Sequence, residues 1–526
     1  VNDVNLSPTI QASGLPQATF TITLSEVSSE TVTVGYATVN GTATSASGDY
    51  VAKSGTVTFD PGETSKTVTV NLSNTPENSI GENFSLQLSS PTNAILDDGV
   101  GVATWNGQTV RVIGSESADF FRFTAGTTHT VRLNGVDHLF NSASINAFTF
   151  DGKGGNDEAT ITGSTQDDFA DIGPTASLMT TSGDIGYSVS TTDVEIHDVR
   201  GGGGTDTANL TDSAGQDTFS SDGTAASLFG PGFSSIVRNF NRVNARSQNG
   251  GADKAVMRDP LADGSFVATG SITSMTGANY KNVTFGFSRV DAIANASNPN
   301  RATLQGLNAA DLFVSNGSQA YMVGAGFVNV AKGYGRVDAH AVAGNKAQLN
   351  AQGNSDQFVA NGSQAYMTNP GTGTKYLNVA FGFDRVDAYA KSGATNNKAQ
   401  LNAQGNDDQF VGNGYQTYIT NPGSGTKYLN VTFGFNRVDG YAKSGATNNK
   451  VQFNGVGNDD QFVGNGYQAY MTNPGSGTKY LNVAFGFNRV DARAKSGATN
   501  NKAQLNAVGN DDQFVANGSQ AYMTNP

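Results

Sequence analysis

Carboxylates are the ionisable groups this 526-residue chain holds in greatest number: 44 Asp and Glu stand against 31 Lys and Arg, four His and no Cys. Without cysteine there is no disulfide, no thiolate zinc site and no cysteine nucleophile. His129, His138, His197 and His340 are scattered, and none forms a His-x-x-x-His pair or another recognised ligand spacing. No Gly-x-Ser-x-Gly elbow, phosphate loop or dinucleotide fingerprint stands in a strand–helix context. Two carboxylates can hydrolyse a glycosidic bond, one as acid and one as base. The acids of the later chain, however, recur in every copy of a repeat, whereas an active site occurs once. The expectation is therefore that the protein is not an enzyme.

The elements that carry these groups are short. Charged residues are 14% of the chain, against roughly 25% in ordinary soluble proteins, while glycine is abundant at 65. That composition suits many strands joined by tight turns, because Gly and Asn tolerate positive φ. The net charge of −13 lies mostly early: residues 115–220 hold 16 acidic and 4 basic side chains, and residues 460–511 hold 3 and 5. An acidic chain without a basic stripe excludes nucleic acid as partner. No apolar run reaches the ~18 residues of a membrane helix, so no membrane span is expected. The chain begins at Val1 without methionine, as a secreted chain does after loss of its signal peptide, and as a fragment boundary also would.

From Phe219 onward an aromatic following an acidic turn recurs at Phe266, Phe313, Phe358, Phe410, Phe462 and Phe514, with spacings of 47, 47, 45, 52, 52 and 52. Fainter copies start near Phe120 and Phe169. Units 408–459 and 460–511 differ at 8 of 52 positions. Thr417/Ala469 and Ile419/Met471 lie two apart, as do Val451/Ala503, Phe453/Leu505 and Gly455/Ala507. Residues two apart share a strand face, and exchanges among small or apolar types mark that face as buried. Five strands per unit follow: Gln461–Val463, Gln468–Thr472, Tyr480–Phe487, Arg489–Ala494 and Lys502–Ala507. A period of this size means a solenoid, a propeller or an array of small domains. A parallel β-solenoid with about two coils per repeat, like residues stacked over like, is the preferred reading, and a β-propeller the alternative. The Arg-Val-Asp elements, Arg289/Asp291 through Arg489/Asp491, would then form a ladder of alternating charge. Tyr467, Tyr470, Tyr480, Phe485 and Phe487, spaced as strand residues, read as core rather than as a sugar platform.

Residues 1–105 alternate in shorter runs, as in Thr19–Leu24, Thr31–Tyr36, Gly55–Phe59, Thr67–Leu72 and Phe84–Leu88, which is the pattern of a β-sandwich. Tyr36-Ala37-Thr38, Asn40-Gly41-Thr42-Ala43-Thr44, Gly48-Asp49-Tyr50, Pro61-Gly62-Glu63-Thr64 and Glu82-Asn83-Phe84 fall in the order of a Calx-β domain, which this segment resembles. The resemblance implies a seven-stranded sandwich that in some members binds calcium through clustered carboxylates. Here Ser7-Pro8-Thr9 and Asn74-Thr75 stand where the family often has acids, leaving Asp49 and Glu82, with Asp97-Asp98 nearby, as the ligands the resemblance implies. Farther on, Asp151-Gly152-Lys153-Gly154-Gly155-Asn156-Asp157-Glu158-Ala159 resembles a single RTX-type calcium-binding nonapeptide. That likeness implies Asp157, Asp167 and Asp168 as calcium ligands. Calcium is the one cofactor the sequence invites.

The resulting expectation is an all-β protein in three parts: a Calx-β-like sandwich over 1–105, divergent acidic repeats over 106–218, and tandem repeats over 219–526. Its expected role is an extracellular structural or adhesive scaffold of a bacterial surface. No polar cap closes the last repeat, so the array either continues in a longer parent chain or docks copies of itself head to tail into a filament. A surface module recognising a glycan or host partner, and a calcium-dependent secreted toxin or enzyme, are the alternatives.

Overall fold

Alternation of polar and apolar residues over five to nine positions produces strands of that length. The computed structural model describes residues 17–24, 27–72, 84–94, 101–105, 109–181, 186–260, 264–295, 300–475 and 479–525, and every regular element among them is a β-strand. The chain divides into two units, Val1–Ser213 with Ser227–Arg242, and Ala214–Ala226 with Val243–Pro526.

In the first unit Gln17–Thr23 pairs antiparallel with Ser65–Asn71, and Val32–Asn40 pairs antiparallel with both Ser54–Phe59 and Phe84–Thr92. Alternate residues of both sheets, among them Phe20, Ile22, Val34, Phe59, Val68 and Leu86, meet in one core. Tyr50 stacks on Phe84 at 4.2 Å, and Phe20 meets Phe84 edge-on at 5.8 Å. Two sheets facing across such a core make a β-sandwich.

Later in the same unit the pairing turns parallel. Thr109–Ile113, Ala147–Asp151 and Ser188–Thr192 stack in register in one sheet. Phe120–Thr124, Glu158–Thr162, Ile196–Arg200 and Phe233–Arg238 stack in a second. The chain passes from one sheet to the other at successive strands, and a β-solenoid of about 10 turns results. It is not a propeller: strands stack in two continuous sheets instead of closing into separate blades.

The second unit shows how a long repeat is used. Gln409–Asn413, Gln416–Thr420 and Leu429–Phe433 form an antiparallel meander in one sheet; Arg437–Tyr441 crosses to the other, and Lys450–Asn454 returns. In the next repeat the sheets exchange roles: Gln461–Asn465, Gln468–Thr472, Leu481–Phe485 and Lys502–Asn506 join the sheet of Arg437–Tyr441, while Arg489–Arg493 joins that of Lys450–Asn454. Two repeats thus add five strands to each sheet but make three passes around the solenoid, fewer than the two coils per repeat expected. The first hairpin closes through Gly414-Tyr415, with Gly414 at φ 61 in the first turn position. A glycine there is what a type II′ turn needs, and that turn matches the twist of the strands it joins.

This alternation overturns two sequence expectations. Successive copies of one strand lie in opposite sheets, so like does not stack directly over like. The Arg-Val-Asp strands form no charge ladder either: Arg437 lies in register beside Lys398, and Arg489 beside Lys450. Each Asp accepts from the arginine two positions earlier on its own strand, as between Arg437 Nε and Asp439 at 2.7 Å, and Asp291 and Asp338 also pair with Lys332 and Arg301 on the adjacent strands. Such partly exposed pairs contribute about 0–1 kcal/mol.

Candidate functional site

The buried acid that precedes each aromatic strand is held by its own turn. Asp408 Oδ2 accepts the backbone N–H groups of Gln404 and Gly405, both at 2.8 Å. Its Oδ1 accepts the Tyr428 hydroxyl at 2.7 Å and Asn421 Nδ2 at 2.8 Å. Its own N–H donates to Asn449 Oδ1 at 2.9 Å, on the following coil. Asp460 repeats the arrangement with Val456, Gly457, Tyr480, Asn473 and Asn501. Four donors occupy the lone pairs of each carboxylate, so the group clasps the coil turn and offers no free oxygen for chemistry. Burial, and the carboxylate each faces, push the Tyr428 and Tyr480 phenols far above their ordinary range.

The acids of the first unit are less completely satisfied. Asp157 is buried; its Oδ1 accepts the N–H of Asp119 at 2.8 Å, and its own N–H donates to Glu195 at 2.9 Å. Its Oδ2 has no hydrogen-bond partner among the described residues, and burial raises its pKa, with the charges of Asp119, Glu195 and Asp193 adding to the effect. Asp168 accepts the Ser164 N–H at 2.8 Å and the Tyr187 hydroxyl at 2.9 Å, and its pKa is likewise raised by burial. Its N–H donates at 2.8 Å to Asp206, whose pKa burial pushes up to about 6, Asp168 and Asp167 contributing. Asp167 is exposed and accepts the Thr205 N–H at 2.6 Å. Asp157 and Asp168 head strands of opposite sheets, so the structure does not gather Asp157, Asp167 and Asp168 at one point.

The glycines of the nonapeptide-like run have a packing role. A Cβ on Gly152 would lie 2.2 Å from the Asp193 carbonyl oxygen, and one on Gly155 2.6 Å from the Ser117 carbonyl carbon. Coil turns approach too closely there for any side chain. Sequence reading missed Glu195, Asp206 and Asn241 as acceptors in the turn stack. The available signal was a 38-residue separation, Asp119 to Asp157 and Asp168 to Asp206.

Asp49 closes its own loop in the sandwich, accepting the Thr44 N–H at 2.8 Å and the Ser47 hydroxyl at 2.5 Å, and these bonds hold its pKa below the ordinary value. Glu82, Asp97-Asp98, Asn74-Thr75 and Ser7-Pro8-Thr9 lie outside the described residues. The histidines are placed as core groups where they are buried: His129 packs against Phe123, Phe148 and Tyr187, and burial lowers its pKa. His197 Nε2 lies 3.0 Å from the Thr191 hydroxyl, and burial lowers its pKa to about 4.

The second unit also has a polar groove of about 410 Å³. The hairpin tip Asn361-Gly362-Ser363 forms one wall. The other comes from the turn at 404–407 and the loop leading from Asn421 to Tyr428.

The N-terminal sandwich and the two-sheet solenoid, with its later repeated acids committed to turns, suggest a binding or structural protein. Comparison with known proteins identifies the first part: residues 11–109 match the Calx-beta domain. Among solved structures, the calcium binding domain CBD12 of CALX1.1 is similar at 14% identity, covering 24% of this chain and 67% of that one, with a TM-score of 0.15. No curated protein sequence matches the chain. A Calx-β domain is a calcium-binding type of β-sandwich, and the match over 11–109 suggests a calcium-related, extracellular-type protein. Among the described residues no helix is long and apolar enough to cross a membrane.

Proposed function

We propose that the protein is an extracellular structural scaffold of a bacterial surface, in which the solenoid supplies repeated layers and the Calx-β domain responds to calcium. The observation that carries this reading is the fate of the repeated acids. Asp408 and Asp460, the side chains best suited by number and position to do chemistry, each spend both oxygens on the turn that carries them. Elaborating one clasp in copy after copy favours stacking over a unique reaction site.

Assembly of such layers between chains is the further part of this proposal. Electron microscopy and sedimentation over a range of concentrations, with calcium and with chelator, test the reading. Filaments or concentration-dependent oligomers are expected; compact monomers under every condition would rule out self-assembly. A melting transition of the sandwich that ignores both calcium and chelator would remove its calcium role.

A further inference from the structure

We propose that Asp157 and Asp193 hold a calcium ion between coil turns of the solenoid, at a site apart from the Calx-β domain. Turns of the first unit share one plan, a glycine followed five residues later by a buried aspartate, as in Gly114 and Asp119, Gly152 and Asp157, and Gly163 and Asp168. In the first and last of these the amide after the glycine closes the turn. Ser115 N–H donates to Asp119 Oδ2 at 2.5 Å, and Ser164 N–H to Asp168 Oδ2 at 2.8 Å. In the middle one that amide belongs to Lys153, at φ 72, and it donates to Asp151 Oδ1 at 3.2 Å instead. Asp157 Oδ2 is thereby left without a hydrogen-bond partner among the described residues, on a side chain that is fully buried.

A second oxygen shares the space this one faces. A Cβ on Gly152 would lie 2.4 Å from Asp157 Oδ2 and 2.2 Å from the Asp193 carbonyl oxygen, so the two converge on one small cradle. The Glu195 carboxylate reaches the same residue, accepting the Asp157 N–H at 2.9 Å. The charges felt at Asp157 come from Asp119, Glu195 and Asp193, and all are negative. Lys153, the one base of the turn, pairs with Asp151 at 3.1 Å. A buried carboxylate oxygen among like charges is costly until a cation or a proton joins it. Carboxylate and carbonyl donors suit a hard ion. Calcium accepts the irregular, high coordination that such a turn offers, with water entering past the exposed Gly155 and Asn156, whereas magnesium demands a near-ideal octahedron.

Asp157 also links three stacked strands. Its Oδ1 accepts the N–H of Asp119, which leads into Phe120–Thr124; Asp157 itself leads into Glu158–Thr162, and Glu195 into Ile196–Arg200. An ion held there ties the coils together and gives the solenoid its own response to calcium.

Amide hydrogen exchange of strand Glu158–Thr162 in the full chain, with calcium and with chelator, tests the site. A dissociation constant of about 0.1 mM, in the range of extracellular calcium modules, slows exchange about tenfold at about 1 mM calcium. Asp157→Asn keeps the Oδ1 acceptor for the Asp119 N–H and offers its own amide to the Asp193 oxygen. In chelator this variant should exchange no faster than the parent, and calcium should leave it unchanged. Glu195→Gln, which keeps an acceptor for the Asp157 N–H and removes one charge, should need about tenfold more calcium for the same slowing. Exchange that ignores calcium up to about 10 mM, an Asp157→Asn variant that responds as the parent does, or equal slowing by magnesium overturns the inference. A calcium response confined to Gln17–Thr23 and Ser65–Asn71 also overturns it, while leaving the calcium role of the Calx-β domain in place.

Discussion

Replacing Asp206 by asparagine probes whether the buried acids of the first unit are structural burdens or ligands. The Asp206 carboxyl is buried and has its pKa raised from 3.8 to about 6, chiefly by loss of water. A raised acid pKa means that the folded state holds the proton more tightly than the unfolded chain does. The stability due to this group is therefore full below 3.8 and is lost as pH rises through about 6. A difference of roughly two units corresponds to about 3 kcal/mol. Asp206→Asn keeps the Oδ1 acceptor for the Asp168 N–H, at 2.8 Å in the parent, and removes the charge. The chain makes this choice itself later on, where Asn449 and Asn501 accept from Asp408 and Asp460 at 2.9 Å. Because solenoids open locally, the suitable assay is amide hydrogen exchange in strand Thr207–Thr211, compared between variant and parent at matched pH. At about pH 8 the variant should exchange up to about a hundredfold more slowly, the gain fading toward about pH 4. An equal effect at both pH values, or faster exchange at pH 8, refutes the argument. Faster exchange confined to calcium-containing buffer would identify the carboxylate as a calcium ligand.

Two further outcomes follow from packing and burial. His197, with its pKa lowered to about 4, contributes stability that is present above 6.5 and lost as pH falls through about 4, worth about 3 kcal/mol; an NMR titration showing an ordinary pKa for this ring would contradict its burial. Gly440→Ala should destabilise its coil by about 1–3 kcal/mol, because the new Cβ would lie 2.6 Å from the Phe410 ring. Phe453→Leu should relieve much of that cost, since the neighbouring copy combines Ala492 with Leu505, and a thermal-melting double-mutant cycle with no coupling between the sites would disprove the compensation.

Much of the architecture follows from residue order alone. The five strands read over 461–507 coincide with the observed Gln461–Asn465, Gln468–Thr472, Leu481–Phe485, Arg489–Arg493 and Lys502–Asn506 to within two residues at every end. Thr417, Ile419, Val451 and Phe453, singled out by their exchanges between copies, are all buried. Alternation reports directly which face of a strand meets the core, so these features are local and legible. The Calx-β segment was legible for a different reason, since its motifs fall in order along one stretch of chain.

Pairing partners are not local, and there the tertiary structure decided. The sequence determined that five short strands occur in each long repeat, but not that successive repeats place their meanders in opposite sheets. That choice depends on where each strand edge is left open by coils far along the chain. The acids show the same division. An aspartate before an aromatic strand suits a calcium ligand or a backbone clasp equally well on paper. Asp408 became a clasp because folding brings the Gln404 and Gly405 amides and the Tyr428 hydroxyl onto its oxygens. Tyr467 could be read as core from its spacing, yet its place at the tip of a two-residue turn leaves it 86% exposed. Spacing fixes which side chains share a face; only the folded coil fixes whether another layer covers that face.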